Sequence, residues 1–508
     1  MGERRRAQTD MGSNYTDGHR TCQVHLHCIG YRLTMRTIRW RALMALCLSG
    51  ALFFIGCRTS PTPESEAGTT AVPDRAPGVS DETDTDEGVE ESALEEIRNA
   101  LERNDNDLAL ELFSNLEYGD EEALAFVHAA LLIADNRRGP ARDILERHAA
   151  ESVRARVLLA EITEEPAARR DAFEYALEAD PEHPEALAGL GSTLLRMGDI
   201  DAADKRFSDA LASDPDSVAA LRGAAEVASR NNEIETQIAY LERAVAQAPD
   251  AGFLFAELAR ARRRDNRETE ALNAIDRAIE LEPDNPWHFV DRGRLHQRAD
   301  RHEEAGADFD TAISLDDSVF LFYFYRAQSH MNLGSFEAAL DDYEYVVAAR
   351  PDYSNAYAPL ATLYYRFERY DEAAEYFLRS QERVSSDLSF SMLAAISYSM
   401  AGNEQRARDL FRRVERNADR SKLYFNMARE FLDPRNDNRT EELVRRESSD
   451  TMRTRMQFYL GVLYEMQGRD RAAEYLFLQV RDAGRTGFVE SELAEVHLSK
   501  NRRGGYPK

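Results

Sequence analysis

The side chains of this 508-residue chain with the most specific chemistry are its four cysteines, Cys22, Cys28, Cys47 and Cys57. Cys22, His25, His27 and Cys28 sit together in CQVHLHC and are of zinc-ligand type, but no second Cys or His cluster occurs at finger spacing, so no metal is expected. The 451 residues after Cys57 contain no cysteine, which leaves a mature chain without a disulfide to form. Other reactive patterns are missing. There is no H-E-x-x-H, no G-x-S-x-G, no Walker loop and no G-x-G-x-x-G, and GLGSTLLRMG (Gly189 to Gly198) lies inside a helical pattern with no preceding strand to cradle a phosphate. His288, His296, His302 and His330 are scattered at repeat positions as packing or surface residues. The reading is a chain that is not an enzyme and needs no cofactor.

Cys57 stands apart because of the residues before it. Arg36, Arg39 and Arg41 come after Met35, and an apolar run extends from Ala42 to Ile55. Fourteen residues of helix cover ~21 Å, short of a ~30 Å hydrocarbon core, so the order basic, apolar, small residue, Cys reads as an export signal rather than a span. On this reading translation starts at Met35, residues 1–34 are an upstream extension and residues 35–56 are the signal. Residues 58–92 form a tether, where Pro61, Pro63, Pro73 and Pro77 break helices and acids such as Asp81, Glu82, Asp84 and Asp86 repel one another. The whole chain carries 64 basic and 92 acidic residues, −28; without residues 1–56 it carries 56 against 89, −33, which disfavours nucleic acid as a partner. Only four of the basic residues are lysine: Lys205, Lys422, Lys500 and Lys508.

The stretch Phe54-Ile55-Gly56-Cys57 resembles the lipobox of bacterial lipoproteins, with Phe54 in place of the usual Leu. The resemblance implies cleavage after Gly56 and a diacylglyceryl, N-acylated Cys57, whose several chains would hold a membrane firmly where one would not. Simple secretion and a buried apolar helix are the alternatives. Arg58, where many retained lipoproteins carry Asp, favours the outer membrane and a periplasm-facing chain.

The elements behind the tether repeat with a period of about 34 residues. Small residues recur at Ala203, Gln237, Ala271, Ala305, Ala339, Ala373 and Ala407, each with Phe207, Leu241, Ile275, Phe309, Tyr343, Phe377 or Phe411 one helical turn later. Pro215, Pro249, Pro283, Asp317, Pro351, Ser385 and Asp419 occupy the breaker slot. Ala203, Phe207, Ala210 and Leu211 fall on one helical face, Leu187, Leu190, Gly191 and Leu194 on that of the preceding helix, and Gly198-Asp199 turns between the two. Each unit is therefore two antiparallel helices, and no unit buries its apolar face alone.

This set resembles the tetratricopeptide repeat (TPR): seven units in register over 184–421, and another over 454–487 through Leu460, Gly461, Tyr464, Gly468, Ala473, Phe477 and Val480. Residues 93–183 read as degenerate repeats, 422–453 as a degenerate repeat or loop, and 488–508 as a capping helix with a basic tail. The fold class implied is all-α, a TPR superhelical solenoid of stacked antiparallel helix pairs whose first helices line a concave side. The slots on that side hold Arg222, Arg260, Arg263, Trp287, Arg294, Phe324, Met331, Tyr365, Met392 and Phe458. Clustered arginines in an acidic chain suit an acidic or carboxylate-bearing peptide. The alternatives are arginines paired to neighbouring helices and an aromatic stripe that is inter-helix core. The Lys/Asn carboxylate clamp of chaperone-binding members is absent, its slots holding Ala188/Ser192, Arg222/Glu226, Ala256/Arg260 and Val290/Arg294. The resemblance implies an envelope-anchored adaptor binding a protein or peptide partner. A self-associating spacer and a glycan- or muropeptide-binding protein are the other readings.

Overall fold

The computed structural model describes residues 96–100, 105–116, 122–383, 387–419, 422–434, 439–483 and 488–503. Among them every regular element is helical, and no helix is long and apolar enough to cross a membrane. The signal-like segment, Cys57 and the tether lie outside the described residues. The chain divides into two units, residues 1–281 and 282–508.

In both units the repeat is built from the same local chemistry. Proline opens two of the described first helices, at Pro184 and Pro286, where its missing N–H costs nothing. Asp199 and Ser217 cap the next starts by accepting the backbone N–H of Ala202 and Ala220. The turn between the two helices of a pair needs one residue in the left-handed region. Residues 198, 232, 266, 300, 334, 368 and 402 fill it, one per repeat, as Gly, Asn, Asn, Asp, Gly, Glu and Gly. Six of these residues suit that conformation; Glu368, at φ 61°, does not.

Packing obeys a ring-on-glycine rule. The fully buried Phe207 of helix Ile200–Ser213 lies between Gly191 and Gly223 of the flanking first helices, and a Cβ on Gly223 would meet its ring at 2.1 Å. Phe173 sits on Gly189 in the same way, and in the second unit Phe309 sits on Gly293 and Phe477 on Gly461. Each buried ring contributes roughly 1.5–3 kcal/mol. In the first unit successive first helices, such as Pro184–Met197 and Val218–Arg230, also touch each other side by side.

The second unit starts with two full pairs, Pro286–Arg298 with His302–Leu315 and Phe320–Leu333 with Phe336–Ala349. Pairs Tyr357–Arg366/Tyr370–Arg383 and Ser389–Met400/Glu404–Asn417 come next. The stretch without a clear repeat forms two short helices, Leu423–Leu432 and Arg439–Arg446. After the pair Asp450–Met466/Asp470–Asp482, the last helix, Val489–Arg503, touches both helices of that pair. It also touches Tyr357–Arg366, more than a hundred residues earlier in the chain.

Candidate interaction surface

In the first unit the predicted slots fall on neighbouring first helices. Arg222 on Val218–Arg230 reaches across to Glu257 on Gly252–Arg264, its Nε donating to both carboxylate oxygens at 3.0 and 3.1 Å, and its guanidinium lies 5.4 Å from the Phe253 ring. Both partners are half-buried. Arg264 makes a similar lateral tie, donating to Ser229 Oγ at 2.7 Å and to Gln237 Oε1 at 3.1 Å. Arg260 and Arg263 are half-buried on the same helix as Glu257. The lateral pairing weighed against a ligand-binding stripe is therefore present at Arg222.

In the second unit Trp287 is half-buried and meets Phe322 edge to face at 5.0 Å, Arg294 lies 5.1 Å from the Tyr325 ring, and Met331 is half-buried. Phe324, Tyr365, Met392 and Phe458 correct the expected aromatic stripe: all four are buried, so they pack helices and are closed to solvent. Phe324 contacts Tyr343 and Tyr353 edge to face, as core rings do. Tyr365 and Phe458 converge on one residue of the last helix, His497, with ring centroids 5.7 and 5.9 Å from the imidazole.

That convergence belongs to a polar interface absent from the expectation. The Tyr365 hydroxyl is hydrogen-bonded to His497 Nε2 at 2.9 Å, and His497 Nδ1 lies 2.5 Å from Glu465 Oε2. At the other end of the helix, Glu490 is 2% exposed; it accepts from the Tyr459 hydroxyl at 2.9 Å and lies 2.8 Å from Arg455 Nε. Arg455 also donates to Asp387 at 2.9 Å and to the Tyr424 hydroxyl at 3.1 Å. Burial pushes the Glu490 carboxyl up, and the Arg455 charge opposes that rise. Burial likewise raises the Tyr459 and Tyr365 hydroxyls well above their ordinary range, so both stay protonated. Lys500 Nζ donates to the Tyr370 hydroxyl at 2.7 Å and pairs with Glu368 at 2.8 Å.

A second missed set recurs in two successive repeats of the second unit. Arg292 Nη2 pairs with buried Asp308 at 2.7 Å and Arg326 Nη2 with buried Asp342 at 2.6 Å, with His296 and His330 3.8 and 3.9 Å from the same carboxylates. The signal is present in the sequence, where Arg292, His296 and Asp308 return at the same spacing as Arg326, His330 and Asp342. These groups tie first helix to second and offer no group of three or more ligating side chains among the described residues that could hold a metal.

Comparison with family models agrees with this architecture. Tetratricopeptide repeat models match residues 166–226 and, in overlapping windows, 256–319, 290–354, 324–387 and 358–421. A comparison with curated proteins finds no match. Among solved structures, a Pseudomonas aeruginosa pilF is 18% identical, covering 46% of this chain and 99% of that one with a TM-score of 0.38. YrrB, described as a TPR protein with an unusual peptide-binding site, is 20% identical over 37% of this chain and 96% of its own, TM-score 0.33. A tetratricopeptide repeat protein from Parabacteroides merdae is 14% identical over 62% of this chain and 98% of that one, TM-score 0.33. The family models and the helix pairs together show tandem tetratricopeptide repeats over residues 166–226 and 256–421, in a structure whose regular elements are all helical among the described residues.

Proposed function

We propose that this protein is a membrane-anchored interaction scaffold of the bacterial cell envelope that holds an acidic or carboxylate-bearing segment of a partner protein against its first helices. The observation that carries this reading is the set of arginines on first helices of an acidic chain. Arg222, Arg260 and Arg263 lie half-buried in the first unit, and Arg294 lies half-buried in the second. A half-buried guanidinium held by a carboxylate of its own chain, as Arg222 is by Glu257, can trade that partner for a ligand carboxylate of the same geometry at small net cost. The anchor is Cys57, supported by the basic, apolar, Gly-Cys order before it and the acidic tether after it. Arg58 after the acylated cysteine favours a periplasmic orientation and the outer membrane.

In-cell crosslinking with the Arg260→Glu and Arg294→Glu double variant tests the binding claim. The partner adduct of the unsubstituted chain should disappear while helix content stays unchanged; an adduct that persists points to a spacer with no specific segment bound. Cys57→Ser tests the anchor separately. The substituted chain should leave the membrane fraction, and a native chain that is already soluble and unacylated overturns the anchor alone.

A further inference from the structure

The last helix of a repeat array ordinarily covers one exposed apolar face and turns a polar face to water. Val489–Arg503 does not behave this way. Over residues 488–500 no position is exposed, and Leu493, Ala494, Val496 and Leu498 are buried together with the charged or titratable Glu490 and His497. The helix packs most extensively on the second helix Asp470–Asp482 that precedes it, and its other sides meet the first helices Asp450–Met466 and Tyr357–Arg366, which with Asp470–Asp482 form the groove that holds it. The groove's polar groups are graded along it, with the Arg455 cation facing the start of the helix and the Glu465 and Glu368 carboxylates facing its end. The Glu368 contact is made by a residue in the left-handed turn position, where its own backbone disfavours it.

We propose that the inner face between Tyr357 and Met466 is a helix-receiving groove kept filled in cis by Val489–Arg503, and that an amphipathic helix of a partner protein takes its place. The partner helix carries a carboxylate in its first turn, an aliphatic face, and a cation near its end, matching Glu490, Leu493/Ala494/Val496 and Lys500. This inference rests on the scaffold reading in taking the first helices as the binding face. It assigns a different stretch of that face and a different ligand chemistry. Because the resident helix is tethered, it competes at high effective concentration, and a partner binds only in proportion to the fraction of time the groove is empty.

The test uses the full chain and, as probe, a labelled synthetic peptide of residues 488–503. In Lys500→Ala, which removes the contacts to Glu368 and Tyr370, peptide affinity should rise by up to about fivefold over the unsubstituted chain. Carrying Glu490→Gln in the peptide should weaken that binding. If the variant keeps its circular dichroism spectrum and binds the peptide no better than the parent, the proposal fails. Hydrogen exchange on the unsubstituted chain gives a second reading, independent of any substitution. Amides of 489–503 should exchange through an opening that leaves 450–466 protected; exchange of both segments only together would make the helix an integral part of the core and overturn the proposal. A dimer that dissociates on adding peptide would make the occupant a second copy and overturn the foreign partner. Failure here with loss of crosslinking in the arginine double variant leaves the scaffold reading standing; the converse result separates the two in the other direction.

Discussion

The first unit and the C-terminal half of the second use the same repeat to opposite ends. On helices Val218–Arg230 and Gly252–Arg264 the inward charges pair sideways, Arg222 with Glu257, and stay half-buried. On Tyr357–Arg366 and Asp450–Met466 the corresponding face is covered by the chain's own last helix, and there Arg455 and the Tyr365 hydroxyl are held against Glu490 and His497, both buried. First helices of one repeat type are thus tied side by side by their own charges in one region and covered by a helix of the same chain in the other, and the cost of disturbing those charges differs accordingly. A pair that keeps some contact with water is worth up to ~1 kcal/mol, whereas stripping the partner from a buried charge costs about 3–5 kcal/mol.

The largest expected effect is therefore in the second unit. Arg455→Met leaves Glu490 buried without its cation and should destabilise that unit by about 3–5 kcal/mol in urea unfolding at neutral pH. The pH dependence carries a definite sign. Glu490 has a raised carboxyl pKa in the folded state, so its contribution is fully present below the ordinary glutamate value and is lost as pH rises through the raised one. Without Arg455 that rise is unopposed, so the variant should lose more stability than the parent between acidic and neutral pH. A variant whose loss does not depend on pH would remove the buried pair from the account.

Next in size is Gly223→Ala. Its new Cβ would meet the Phe207 ring at 2.1 Å, and the overpacking should cost about 1–3 kcal/mol. The loosening should stay in the first unit, with faster hydrogen exchange at 184–247 and no change at 489–503. Spread into the last helix would contradict the separation of the two regions.

Smaller still is Glu257→Ala, which should cost about 1 kcal/mol, because the Arg222 and Glu257 side chains keep 24% and 20% of their exposure where Glu490 keeps 2%. A loss as large as that expected of Arg455→Met would place that face on the sealed side of the comparison. Glu368→Gly should act in two directions at once. It relieves a left-handed backbone worth about 1 kcal/mol, so overall stability holds or rises slightly, while the loss of the Lys500 contact speeds exchange of 489–503.

The helix pairs were legible because packing writes itself into sequence at a fixed period: the Phe207 slot holds a ring or an aliphatic side chain in each of the seven units, and proline or a polar residue ends each pair. The interior placement of Phe324, Tyr365, Met392 and Phe458 was not legible. A slot that faces inward in one repeat looks the same whether solvent or a distant helix lies opposite, and Val489–Arg503 meets Tyr357–Arg366 across more than a hundred residues with no periodic mark. Two local signals pointed to it nonetheless. Lys500 is one of only four lysines in an arginine-using chain, and Glu368 sits in a turn slot otherwise filled by Gly, Asn or Asp. The Arg292/Asp308 and Arg326/Asp342 ties were written at the repeat period, but spacing alone did not distinguish a buried ion pair from a solvated one.

The most direct test places the same photoreactive phenylalanine analogue at Phe253 and, separately, at Tyr370, and irradiates each full chain in its native host. The account predicts a foreign protein joined to residue 253 and an intramolecular link from residue 370 to the segment 489–503. A foreign adduct absent from 253, or residue 370 failing to reach its own last helix, would contradict it.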